Sequence, residues 1–100
     1  MIVTFEVDER FTVGKLDMML HIAYLSKSQV EFVFNLTRSK ITDVAHVIQA
    51  KPVLEKYRPL TRKYLKKTTI VVGNKLMKCI IKTALVILKP EKPVKVRLNT

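Results

Sequence analysis

The run KYRPLTRKYLKK, residues 56 to 67, sets six bases (Lys56, Arg58, Arg62, Lys63, Lys66 and Lys67) around Tyr57 and Tyr64. Lysine and arginine neutralise phosphates, and a tyrosine ring can stack on a nucleobase, so this is the composition of a polyanion-binding surface. The competing explanation is a solvated face whose tyrosines turn inward. A helix predicted around Leu60 to Lys66 would make Arg62 and Lys66, and Lys63 and Lys67, i,i+4 neighbours. Further along, Lys75, Lys78 and Lys82, joined by Lys89, fall within about 60° of one another at 100° per helical residue and would extend the patch.

A second polar constellation lies in VFNLTRSKITDVAHVI, residues 33 to 48, where an apolar run stops, turns through Arg38, Ser39 and Lys40, and restarts at helical spacing. Ser39, Thr42 and Asp43 are among its polar members, which the family resemblance given below makes the candidate partner-contacting residues. Thr42 or Asp43 also suits a helix N-cap, and the helix dipole favours the Asp43 carboxylate there. Other chemistry is thin. His21, His46 and Cys79 lack metal-ligand spacing, and core or boundary packing is expected of Cys79. Gly14 and Gly73 are the only glycines, which excludes a glycine-rich phosphate loop. With no nucleophile elbow and no carboxylate pair, the chain is expected to be no enzyme and to carry no cofactor and no metal. The triplet Asn35-Leu36-Thr37 matches a glycosylation acceptor, but its place at a strand end makes chance the better account.

One hundred residues, 48% of them apolar, make a single domain spanning 1–100 with one core. The longest apolar stretch, CIIKTALVIL, is interrupted by Lys82 and falls short of the roughly 20 residues a membrane span needs. A lone cysteine and an N-terminus without a leader pattern point to a reducing, cytoplasmic setting. The net charge of +11 is uneven: residues 51–100 carry fourteen bases and two acids, whereas residues 1–50 carry five bases and six acids. Such asymmetry implies an acidic partner, whether nucleic acid, anionic lipid or an acidic protein.

The elements that must position these groups follow from periodicity. IVTFEVD alternates as a strand with one face covered. Thr12 caps a helix to about Lys27, with Leu16, Met19, Leu20 and Ala23 inside and Met18, Ile22 and Leu25 widening the apolar arc until the helix is well covered. QVEFVFNL is a strand with Val30, Phe32, Phe34 and Leu36 on one side. Val44, Val47 and Ile48 form the inner stripe of a second helix that Pro52 kinks or ends near Lys51. TTIVVG reads as a central strand covered on both faces. Asn74 caps a last helix, in which Leu76, Met77, Ile80, Ile81, Ala84, Ile87 and Leu88 pack on the sheet before Pro90 stops it. PVKVRLN closes as a strand with Val94, Val96 and Leu98 inward. The sum is a β-α-β-α-β-α-β chain of the α/β class, a four-stranded mainly parallel sheet with three crossover helices; the alternative is α+β with an antiparallel edge strand.

This order resembles a short member of the STAS family, the domain of sulfate transporters and anti-sigma-factor antagonists. The resemblance runs through VEFVFNL, the turn, a helix opening at TDVAHVI, TTIVVG, the next helix and PVKVRLN. It implies a non-catalytic interaction or regulatory module that binds a protein partner. In the bacterial antagonists this helix opens with an Asp-Ser-Ser-Gly-like motif whose first serine is phosphorylated. Here Thr42 stands at the aspartate, Asp43 at the phosphoserine, Val44 at the second serine and Ala45 at the glycine. The phosphorylatable serine is absent, Asp43 supplies a fixed negative charge in its place, and the family's extra N-terminal strand is missing. The alternative function is a basic polyanion-binding or structural protein, such as a ribonucleoprotein or virion component. A homo-oligomer through the edge strand IVTFEVD is also consistent with the pattern.

Overall fold

In a computed structural model of the chain, residues 1–41 and 43–99 are described. Four strands, β1 (Ile2–Glu6), β2 (Val30–Asn35), β3 (Leu65–Val72) and β4 (Val94–Leu98), form one sheet in the order β1-β2-β3-β4, every neighbouring pair parallel. Helix α1 (Val13–Leu25) links β1 to β2, three short helices α2 (Val44–Ile48), α3 (Lys51–Lys56) and α4 (Arg58–Tyr64) link β2 to β3, and α5 (Lys75–Leu88) links β3 to β4. The sheet is therefore of the α/β class, and its edges are β1 and β4.

A parallel sheet whose strands follow chain order has one strong consequence. When each crossover takes the usual right hand, the chain returns to the same side of the sheet every time. The packing agrees. Phe5, Val30 and Phe32 meet Leu16, Leu20, Ala23 and Tyr24 of α1 and Val53 and Tyr57 of α3 and its C-cap in one buried cluster. Leu36 and Val72 meet Met77 and Ile81 of α5 in a second, with Ile70, Val96 and Leu98 against it. All of these strand residues share one face by register, since Phe5 pairs with Phe34, Phe34 with Ile70, Ile70 with Val96 and Val72 with Leu98.

Local capping is as the residue types dictate. The Thr12 hydroxyl accepts the Lys15 N–H, the Asp43 carboxylate the His46 N–H at 2.8 Å, and the Asn74 side chain the Met77 N–H at 2.7 Å. Helix α5 ends in a left-handed residue, Lys89 at φ 49°, just ahead of Pro90.

Several expectations are corrected. Strand β3 is interior, but helices cover only one of its faces. Its start at Leu65 places Lys66 and Lys67 in the strand, where a register shift between Val30 and Glu31 accommodates one extra residue. Consequently Arg62–Lys66 and Lys63–Lys67 are not helical neighbours. The second helix stops before Lys51, at Ile48, and Pro52 and Pro59 stand in the first turns of α3 and α4, where a proline loses no intrahelical hydrogen bond. Met18, Ile22 and Leu25 of α1 are exposed, as are Leu76 and Ile87 of α5, because the second layer of helices is too narrow to surround either one. Cys79 is exposed as well, not packed in the core or at its boundary.

Candidate functional site

The sheet's two faces supply the two candidate sites. On the face opposite the helices stand Thr4 and Glu6 of β1, Glu31, Val33 and Asn35 of β2, Lys67, Thr69 and Val71 of β3, and Lys95 and Arg97 of β4. Neither apolar cluster draws on any of them. Register places Lys95 beside Thr69 and Arg97 beside Val71, so three cations line the β3–β4 half. The β1–β2 half is acidic and internally bonded: Asn35 Nδ2 donates to Glu6 Oε2 at 3.0 Å, and Asn35 Oδ1 accepts from the Thr37 N–H and hydroxyl. Lys67 approaches Glu31 only at 4.0 Å. Lys95 and Arg97, both exposed, enter no ion pair among the described residues.

The basic run singled out from the sequence is distributed differently. Lys56 is held by the Asp17 carboxylate at 3.0 Å, and the Tyr57 hydroxyl donates to the same carboxylate at 2.5 Å. That pairing lowers the Asp17 carboxyl, first through Tyr57 and then through Lys56, and raises the Tyr57 hydroxyl. Arg58 bridges Glu55 at 2.9 Å and Glu91 at 2.7 Å, and Arg62 reaches Glu91 at 2.6 Å. The two guanidinium groups hold the Glu91 carboxyl below its ordinary range, Arg62 contributing most. Tyr57 is buried and Tyr64 half-buried, so the tyrosines turn inward. Lys63 lies over the Tyr64 ring at 5.3 Å, and Lys66 is exposed. Lys56, Arg58 and Arg62 thus fasten α3 and α4 to α1 and to the loop before β4, leaving Lys66 and Lys67 of the run on the strand.

Lys75 and Lys82 are exposed and Lys78 half-buried on α5, a helix that lies on the helical side, so they do not join the row on the uncovered face. Lys95 and Arg97 lie outside the basic residues singled out from the sequence. The alternation of PVKVRLN had already turned them outward, and pairing with the alternation of β3 was the signal that could have placed them beside Lys67. In the turn after β2, Ser39 is half-buried and Asp43 exposed, its carboxylate engaged as a cap; Thr42 lies outside the described residues.

The covered face holds a cavity of about 480 Å³ between the two buried clusters. Phe32, Phe34 and Ile70 of the sheet form its floor, with Leu20 of α1 and Leu85 of α5 as walls. Polar groups gather at its ends: Asp8, Ser39 and His46 beyond the C-terminal ends of β1 and β2, and Arg58, Glu91 and Lys92 near the start of β4. As an enclosed void of that volume, at about 24 cal/mol per Å³, it would cost on the order of 10 kcal/mol, comparable to the whole stability of a domain. It opens to solvent, which relieves that cost by letting water or a ligand enter.

Comparison with protein-family models, with curated proteins and with solved structures finds no match to this chain. Among the described residues no group of histidine, cysteine and acidic side chains can hold a metal ion, and no helix is long and apolar enough to cross a membrane.

Proposed function

We propose that the chain is a non-catalytic binding module that engages a phosphate-bearing polyanion through the uncovered face of its sheet. The observation that carries this reading is the row Lys67, Lys95 and Arg97, on adjacent strands of a face that no helix packs against. An extended backbone of phosphates can lie across paired strands, meeting one cation after another, while Thr69 between them offers a hydroxyl donor. Three contacts of this kind to a single strand give a slope of log K against log salt of about −2. Titration of a labelled single-stranded oligonucleotide at a series of salt concentrations tests it. Lys95→Glu with Arg97→Glu should abolish binding at low salt; unchanged affinity in that folded variant sinks the proposal.

A second reading is the regulatory module that the STAS resemblance implies, docking a protein at the turn after β2. It is favoured by the exposure of Asp43 at the opening of α2, where the resemblance puts the switch residue. Capture of the same protein partners by wild type and by Asp43→Arg would count against that surface.

A further inference from the structure

We propose that the cavity on the covered face binds a medium-chain carboxylate of the fatty-acid class, its tail along β2 and β3 and its carboxylate at the mouth beside Lys92. The argument begins with shape. At about 3.3 Å per strand residue, the floor from Phe32 to Leu36 runs about 13 Å along β2, a length against which an extended alkyl chain can lie. A volume of about 480 Å³ lies within the usual range of small-molecule pockets, and the lining is apolar except at its ends. Such a lining gains by exchanging water for hydrocarbon.

The headgroup follows from charge. At the mouth near the start of β4, Arg58 and Arg62 face Glu55 and Glu91, and these four charges cancel. Lys92, half-buried in the cavity lining beside them, enters no ion pair among the described residues, so it gives this mouth a net positive charge. At the other mouth, beyond β1 and β2, Asp8 opposes an anion. One polarity of insertion is therefore favoured: anionic head toward β4, tail toward Leu36. The site lies on the opposite face of the sheet from the row Lys67, Lys95 and Arg97, and stands independently of the polyanion reading.

The experiment is calorimetric titration of the whole chain with laurate and with the neutral alcohol dodecanol, below their aggregation limits. Laurate should bind at one site per chain. Ile70→Trp, which fills the floor, should weaken laurate at least about tenfold. Should that variant fail to fold, Leu85→Phe narrows the same space from α5. Lys92→Glu should weaken laurate about threefold to fivefold and leave dodecanol unchanged. No laurate binding, binding at several sites per chain, or full affinity in a folded cavity-filled variant overturns the site. Equal effects of Lys92→Glu on laurate and dodecanol overturn the headgroup assignment.

Discussion

The two faces of this sheet come from the same strands, one residue out of phase, and differ in what holds them. The covered face is made of Phe5, Phe32, Phe34, Ile70, Val72 and Val96, and its stability comes from removing apolar area from water. The uncovered face is made of charged and small polar residues around Val33 and Val71, and of its side chains only Val71 is buried. Strand order is the cause: in a sequentially ordered parallel sheet, crossovers of one hand bring the helices back to the same side and leave the other as a free surface. A surface that contributes little to stability is open to carry binding groups, whereas the covered face must reconcile a core with a cavity.

Adjacent residues of β2 give the sharpest way to break this contrast. Phe32→Ala, on the covered face at 3% exposure, should cost about 3 to 5 kcal/mol in chemical denaturation, a large fraction of a domain's stability. Val33→Ala, on the uncovered face, should cost less than about 1 kcal/mol. Comparable losses at the two positions would mean that something packs on the second face. An intermediate effect on function and almost none on stability is expected of the charge reversals at Lys95 and Arg97. The free energy of unfolding should change by no more than about 0.5 kcal/mol while oligonucleotide binding is lost; a large destabilisation would make those residues structural.

The smallest effect is acidic. Asp17 and Glu91 titrate below their ordinary values of 3.8 and 4.5, because Tyr57 with Lys56, and Arg62 with Arg58, favour the charged forms. For a group whose folded-state value is depressed, the stability it contributes is present above the ordinary value and is lost as pH falls through the folded one. Stability should therefore decline as pH drops past 4.5, through the ties that hold α3 and α4 to their neighbours. Glu91→Gln should flatten that decline, and an equally steep acid limb in the variant would remove Glu91 from the account. Neither face of the sheet supplies these groups, so the effect should leave Val33 and Phe32 variants equally sensitive.

Alternation alone turned Val30, Phe32, Phe34 and Leu36 to one side and Lys95 and Arg97 to the other, and residue type alone made Thr12 and Asn74 caps and offered Thr42 or Asp43 for α2, where the structure has Asp43. These are short-range outcomes of a period of two in strands and of an unpaired N–H in a helix's first turn. The α/β class followed from the alternation of strands and helices along the chain. What local pattern cannot carry is which faces meet. TTIVVG reads as a doubly covered strand because Ile70, Val71 and Val72 are all apolar, yet Val71 lies on the uncovered face, buried between its register neighbours Asn35 and Arg97. The run from Lys56 to Lys67 reads as one basic surface, yet tertiary contacts divide it, spending Lys56, Arg58 and Arg62 on Asp17, Glu55 and Glu91 and handing Lys66 and Lys67 to a strand. The charge, the capping residue types and the inward residues of the strands were determined by the sequence itself, whereas Met18, Ile22, Leu25, Leu76 and Ile87 of the helices stayed exposed because no neighbouring layer reaches them. The one-sided layering, the row of cations across two strands and the cavity were decided by strand order and by which side chains come within reach of one another across the chain.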